Sequence, residues 1–336
     1  MPANLTPQYL AAEQRFKDAV TLQEKTAALE EMMALIPKHK GTEKMRADLR
    51  RRLAKLRSES EKKHGVSKAS SMYSVQREGA GQVVLVGGPN VGKSSLLKNL
   101  SHATPEIGAY PFTTRLPQPG MMPFENIQIQ LVDMPAMDPS TYEPWMGGIV
   151  RQADMAMLIA DLSADEMLDG IESVLALLES ANIQLSGKPD SGGGRDTAVW
   201  RHAILVANKC DDIKAAGRLE ILREFFASRF DIIPASTASG EGLDSLRKKL
   251  FEDLDVVRIY TKIPGKKADL SGSPFVLKHG STVLDAARAV HREFVHSLKF
   301  AKLWSSEKSR RPVRLNGQMV ERTYQLEDGD ILELHI

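Results

Sequence analysis

The sequence predicts an α/β protein: a mostly parallel sheet wrapped by helices, preceded by a helical segment and followed by a small mixed sheet. Three observations lead there. Through the middle of the chain, short apolar runs of strand length alternate with helical patterns. Before that zone the apolar residues recur only at helical spacing, and after about residue 255 strand-like runs flank a single helix. The zones divide at residues 1–78, 79–254 and 255–336.

The chain has 336 residues, which at roughly 100–200 residues per domain predicts two or three domains. Hydrophobic residues at 42% and charged residues at 26% leave enough apolar surface for real cores. A net charge of only +2 means that any nucleic-acid contact must come from a local patch. Cys210 is the sole cysteine, so no intramolecular disulfide can form, which fits a reducing compartment. The start, Met1-Pro-Ala-Asn-Leu-Thr, has no basic segment leading into an apolar run, and no apolar stretch reaches the roughly 18–20 residues that span a bilayer. The expectation is a cytoplasmic protein without a membrane partner.

In the first zone, Leu22 to Ile36 carries Leu29, Met32, Met33, Leu35 and Ile36 before Pro37 stops it. A second helix starts on Thr42. There Met45, Leu49, Leu53 and Leu56 draw one stripe, while Arg46, Arg50, Arg51, Arg52, Lys55 and Arg57 occupy the other faces. Together they predict a helical hairpin with a basic outer face. Residues 65–78 read as a linker. In the middle zone strands are expected at Gln82–Val86, Ile127–Val132, Met155–Leu162, His202–Ala207 and Asp231–Pro234. Helices are expected at Ser94–Leu100, Ala164–Ser180, Ala216–Phe230 and Gly242–Leu250, and a polar, glycine-rich loop at Ser186 to Thr197. In the last zone Val256–Ile263 and Pro274–Lys278 read as strands, Thr282 to Val295 as a helix, and Asn316-Gly317 as a two-residue hairpin turn between Val313–Leu315 and Gln318–Val320. With Ile331 to Ile336 as a closing strand, this order fits a β-grasp type of module.

The strongest chemical signal is Gly87-Gly88-Pro89-Asn90-Val91-Gly92-Lys93-Ser94, followed by Ser95. It matches G-x-x-x-x-G-K-[ST] and lies between an expected strand and an expected helix, where a phosphate-binding P-loop must lie. Such a loop turns backbone N–H groups inward onto a β-phosphate, and the helix N-terminus adds positive dipole. Lys93 is expected to reach the β- and γ-phosphates, and Ser94 to give its hydroxyl to Mg²⁺.

A P-loop does not separate ATP from GTP. Asn208-Lys209-Cys210-Asp211 follows the strand His202–Ala207 directly and matches N-K-x-D. The Asp211 carboxylate can accept from both the ring N–H and the exocyclic amine of guanine, whereas adenine offers no donors there. Asn208 is expected to tie the base site to the P-loop, and the Lys209 stem to cover the flat face of the base. Cys210, inside this motif, reads as a packing residue. Further on, Ser236-Thr237 resembles the Ser-Ala element whose backbone N–H meets the guanine oxygen, with threonine in place of alanine.

Asp133 ends an apolar strand, where a carboxylate holds Mg²⁺ through water or else serves as a turn residue. Between P-loop and Asp133 lies Tyr110-Pro-Phe-Thr113-Thr114. A threonine hydroxyl there, Thr114 in preference to Thr113, can complete the Mg²⁺ shell only when a γ-phosphate is present, which makes the loop a switch.

These motifs together resemble the Obg-like branch of translation-factor GTPases, and within it the developmentally regulated GTP-binding protein (DRG) family. The likeness covers nearly the whole chain, including Tyr110-Pro-Phe-Thr-Thr114, Val257-Arg-Ile-Tyr-Thr-Lys262 and Leu326-Glu-Asp-Gly-Asp330 of a TGS-like C-terminal module. It implies a Ras-like P-loop GTPase domain with an N-terminal helical hairpin and a C-terminal β-grasp domain, acting on ribosomes or RNA. Two departures stand out. The family's switch II motif D-x-P-G reads Asp133-Met-Pro-Ala136 here, which retains the γ-phosphate-facing N–H but restricts φ and ψ. The DRG insertion in the nucleotide domain has little room between Asp133 and Asn208, so the chain reads as a trimmed relative.

Met137 stands where Ras-type enzymes carry a water-orienting glutamine, and a thioether cannot do that work. The resemblance implies that K⁺, held beside Asn90, replaces an arginine finger. Lys93, Thr114 and Asn90 are thus the candidate catalytic groups. The expected function is a slow GTPase, K⁺-stimulated, switching on a ribosome or structured RNA. The alternative is a GTP-binding scaffold with negligible hydrolysis, motivated by Ala136 and Met137. A partner protein could dock on the TGS-like module. Arg46–Arg57 and the cluster Lys299, Lys302, Lys308, Arg310, Arg311 and Arg314 are the candidate phosphate contacts.

Overall fold

The segment Gln82–Val86 is buried at every position and forms the central strand β1, with no exposed face to call for alternation. Around it the computed structural model describes residues 7–18, 22–36, 45–53, 73–101, 116–187, 198–266, 268, 270, 272–307, 309, 311 and 314–335. The chain divides into two compact units, residues 1–74 and 75–336.

In the first unit, α1 (Pro7–Asp18) packs along α2 (Leu22–Leu35). Arg15 Nη1 joins Glu31 Oε2 across the pair at 2.8 Å. A third helix, α3, spans 45–53. Tyr9, Ala12, Leu29, Met32, Leu49 and Leu53 close one small core. The expected stripe through Leu49 and Leu53 is therefore inward, and Arg50, Arg51 and Arg52 face solvent. The sequence reading paired α2 with α3 only; α1 adds a partner. Leu56, Lys55 and Arg57 lie outside the described residues.

In the second unit a seven-stranded sheet runs β2-β3-β1-β4-β6, with β5 and β7 both on the far edge of β6. Its members are β1, β2 (Gln118–Phe124), β3 (Ile127–Asp133), β4 (Met155–Asp161), β5 (Ile183–Ser186), β6 (Val199–Asn208) and β7 (Asp231–Ala235). Only β2, an edge strand, is antiparallel. β5 pairs with Val199–His202 and β7 with Ile204–Asn208, end to end along one strand. Helices α4 (Lys93–Ser101), α5 (Pro144–Gln152), α6 (Met167–Ser180), α7 (Ala215–Phe226) and α8 (Leu243–Asp253) flank the sheet, and one core lies on each face. The chain crosses from the β3 side of β1 to the β4 side, so the carboxyl end of β1 opens the crevice expected of such a sheet.

Residues 76–78 are not a free linker. Gln130 Nε2 donates to Gln76 O at 3.0 Å, Arg77 pairs with Asp154 at 2.7 Å, and Glu78 N–H donates to Gln130 Oε1 at 3.4 Å. The polar side chain that recruits them, Gln130, is buried in β3 and invisible to a linker reading.

The remaining strands form a five-stranded sheet in the order β11-β10-β12-β8-β9: β8 (Val256–Thr261), β9 (Phe275–Lys278), β10 (Phe300–Ser305), β11 (Asn316–Val320) and β12 (Asp330–His335). Helix α9 (Val283–Val290) covers one face and is stopped in by a capping box between Thr282 and Asp285. The single helix expected to Val295 is broken. His291 is extended, and its ring accepts from Glu293 N–H at 3.3 Å to start α10 (Arg292–Ser297). The expected Asn316-Gly317 turn is also overturned. Both residues open β11, which pairs with β10 through a bulge at Leu303/Trp304. Gly317, at φ 79°, lies against the Trp304 indole, where a Cβ would approach to 3.1 Å. The left-handed conformation serves a bulge here, not a hairpin.

The two sheets meet at the tip of the β2–β3 hairpin. Arg258 of β8 is buried, binds both oxygens of Asp328, and sends Nη1 to Glu125 Oε2 at 2.6 Å. Its guanidinium sits 4.8 Å over the Phe251 ring, itself stacked on Phe124. Asn126 Nδ2 donates to Tyr260 Oη at 2.5 Å.

Candidate nucleotide site

The turn between β1 and α4 is closed on itself. Asn90 and Gly92 take positive φ values of 59° and 94°. Lys93 folds back and its ammonium donates to Gly88 O at 2.7 Å and Gly87 O at 3.1 Å. Gly87 O also accepts from the Met137 N–H at 3.0 Å, which ties the segment after β3 to the loop. Ser94 Oγ donates to Asp133 Oδ2 at 2.5 Å, while Asp133 Oδ1 is buried without a partner among the described residues. Burial pushes the Lys93 ammonium down, opposed by the nearby Asp133 carboxylate. It pushes the Asp133 carboxyl up, opposed by the Ser94 hydroxyl and Lys93. A cavity of about 430 Å³ opens over this surface, and Pro89, Asn90, Gly92, Lys93, Ser94, Ser95, Asp133 and Ala136 all line it.

The second cluster is stapled to the first. Asn208, fully buried at the end of β6, donates from Nδ2 to Val91 O at 2.8 Å. A Cβ on Gly92 would stand 2.2 Å from that same nitrogen. Gly92→Ala therefore has both a left-handed φ and a clash to overcome. The expected result is a loss of about 1–3 kcal/mol in stability with a broken staple, read by thermal unfolding and nucleotide titration.

Lys209, at φ 60°, donates from Nζ to Asp161 Oδ2 at 2.6 Å, and Asp211 is exposed at the start of the following loop. Ser236 is buried, and its hydroxyl accepts from Ala238 and Ser239 N–H at 3.1 and 3.0 Å, so its side chain shapes the turn that presents the half-exposed Thr237. Cys210 N–H donates to Ala235 O at 3.1 Å, joining the two loops. Burial, with Glu241 and Asp211, raises the Cys210 thiol, which suits a packing role.

The structure thus places the fifteen candidate nucleotide-site positions from Gly88 to Thr237 in two linked loop clusters. Thr113 and Thr114 lie outside the described residues. Met137 points away: it is 1% exposed in the core with Met134, Met146 and Val150. Ala136 is not among the residues of positive φ, so alanine carries no left-handed strain in this conformation. Sequence reasoning missed Leu116 and Gln118, which also line the cavity, and Asp161. Asp161 ends an apolar strand just as Asp133 does, and that signal would have found it. In the last sheet, Arg311 is spent internally on Asp330, Tyr324 and Gln325, so it leaves the expected phosphate-contact cluster. Lys308 and Arg310 lie outside the described residues.

Residues 82–189 match the family model "50S ribosome-binding GTPase", and residues 257–336 match the TGS domain. The chain combines a GTPase-family segment with a TGS domain, and developmentally regulated GTP-binding proteins are among its relatives. An uncharacterised GTP-binding protein of Methanocaldococcus jannaschii is 28% identical, over 95% of this chain and 94% of its own. Developmentally-regulated GTP-binding protein 1 of Xenopus laevis is 27% identical, over 92% and 97%. A solved GTP-binding protein from Pyrococcus horikoshii OT3 aligns with a TM-score of 0.48 at 14% identity, over 76% of this chain and 99% of that one. The phosphate-side loop therefore lies within the matched GTPase segment, and the five-stranded sheet corresponds to the TGS domain. No helix among the described residues is long and apolar enough to cross a membrane.

Proposed function

We propose that this protein is a slow GTPase whose nucleotide state switches its hold on a ribosome or a structured RNA in the cytoplasm. The observation that carries the reading is the Asn208–Val91 bond, which welds a phosphate cradle to a guanine-reading loop. Lys93 and Asp133 are both driven toward neutrality by burial. A triphosphate gives the ammonium its countercharge. Ser94 Oγ and Asp133 Oδ1, which has no partner among the described residues, fit a hard divalent cation, with Thr114 joining them in the triphosphate state. Mg²⁺ held there would offset charge on the phosphoryl oxygens.

The chain supplies no side chain at Met137 to orient water, because that thioether is in the core. Asn90 lines the cavity beside the lysine and is our candidate K⁺ ligand. Lys93 steadies the β- and γ-phosphates during cleavage. On the binding side, Arg50, Arg51 and Arg52 offer an exposed basic face, and the match to the 50S ribosome-binding GTPase family together with the TGS domain supports a ribosomal partner. The buried Met137 equally favours a GTP-binding scaffold without turnover.

Single-turnover cleavage of GTP in K⁺ and in Na⁺, with and without ribosomal subunits, separates these. The expected result is slow cleavage, accelerated about tenfold or more by K⁺ and further by subunits. Equal rates in the two salts remove the Asn90 role. Saturated GTP with no cleavage in any arm leaves the scaffold.

A further inference from the structure

We propose that Asp161 and Ser163 are positioning residues of the guanine site: they anchor the Lys209 ammonium so that the lysine stem is already laid out for the base before nucleotide arrives. The inference deepens the reading of Asn208–Asp211 as the base site and rests on it.

β4 and β6 are adjacent parallel strands in which Asp161 registers with Asn208, so their last residues stand side by side at the crevice. Asp161 is 9% exposed. Its Oδ1 accepts from Ser163 N–H at 2.8 Å and Ser163 Oγ at 2.7 Å, leaving Oδ2 to receive Lys209 Nζ at 2.6 Å. Ser163 Oγ is a second acceptor for the same ammonium at 3.4 Å. Leu162 N–H donates to Asn208 O at 3.0 Å, and Arg218 Nη1 donates to Leu162 O at 2.8 Å, so this loop is braced from β6 and from α7. Burial works against the Asp161 carboxylate, but the bonds from Lys209 and Ser163 outweigh it and hold its pKa below the usual range, so it is ionised at neutral pH.

Two features make this an orienting device. Lys209 holds φ 60°, a conformation that costs an L-residue energy and points its side chain toward Asp161 instead of outward. A lysine stem also has large rotamer freedom, which a base would otherwise have to freeze on binding. Fixing the ammonium beforehand removes that cost, so affinity rises through preorganisation. The anchor does not read the exocyclic amine; that falls to Asp211. Its loss therefore weakens every purine diphosphate that Asp211 admits by the same factor.

The test is a double-mutant cycle on the full chain, with fluorescent GDP for dissociation rates and calorimetry for GDP and IDP. Asp161→Asn is expected to raise the GDP Kd about tenfold, mainly through faster dissociation, and Ser163→Ala about threefold. Lys209→Met keeps an apolar stem but lacks the ammonium. In that background Asp161→Asn adds less than twofold, and the GDP-to-IDP ratio of each single variant stays that of the wild type. Independent, multiplying effects of Asp161→Asn and Lys209→Met would mean that Asp161 merely braces the loop, and would overturn the proposal. So would a GDP Kd within twofold of wild type for Asp161→Asn, or, should that variant not fold, for Ser163→Ala. A wild-type protein that binds no GDP is a different failure, that of the base-site reading itself.

Discussion

Replacing Lys93 by methionine lowers GTP affinity at least about 100-fold and leaves the nucleotide-free protein as stable as the wild type, or more so. The two halves of this result have one cause. Lys93 is buried, and among the described residues its ammonium is satisfied by the carbonyl oxygens of Gly87 and Gly88, with Asp133 as a nearby charge. Keeping a cation there is costly, and a methionine of similar reach removes the cost while filling the space. Bound triphosphate reverses the balance, because the ammonium then meets phosphate oxygens in charge-assisted bonds worth about 1.5–3 kcal/mol each. Calorimetric titration with GTP and thermal unfolding without it check both halves. A variant that loses GTP and also melts far lower would show that the lysine holds the loop together instead.

Replacing Asp211 by asparagine weakens GTP by about 100-fold or more, and it moves preference to a xanthine nucleotide. Guanine presents two donors, the ring N–H and the exocyclic amine, which a carboxylate accepts together. An asparagine amide offers one acceptor and one donor. The donor then faces the exocyclic amine and leaves an unpaired polar group, the kind of mismatch that discriminates most strongly. Xanthine carries a carbonyl where guanine carries the amine, so the amide matches it. Competition between labelled GTP and XTP reads the exchange directly. Asp211 is exposed at the head of its loop, so the substitution is expected to leave the fold unchanged.

How far the chain could be read in advance follows from how each element is buried. β1, β4 and the carboxyl half of β6 run through the sheet interior as nearly unbroken apolar segments, and these strands, with β3 and the edge strand β7, were found within a few residues. β2 was missed because it contains Pro119, Gly120 and Pro123, residues that argue against a strand; as an edge strand it tolerates them. β5 has four residues and draws its stability from sharing an edge of β6 with β7, which no local pattern announces. Of the site, the P-loop and Asn208–Asp211 were legible because their chemistry is local in sequence. Asp161 carried only the signal of a carboxylate ending an apolar strand, and its pairing with Lys209, 48 residues on, is not local in sequence. Arg311 looked like a surface cation because its carboxylate, Asp330, lies 19 residues away and is fully buried.

The β2–β3 hairpin has a mechanical consequence. Its strand β3 is a stiff ribbon of seven residues with Asp133 at one end and the turn Glu125–Asn126 at the other. At about 3.3 Å per residue the ribbon is some 23 Å long, so a tilt of about 3° at the cation end swings the turn by about 1 Å. The Glu125–Arg258 pair, closed at 2.6 Å, has little slack to absorb that swing. The ribbon is a pointer whose far end is clamped to a second sheet: a small shift at the phosphates either drags that sheet along or prises the clamp open.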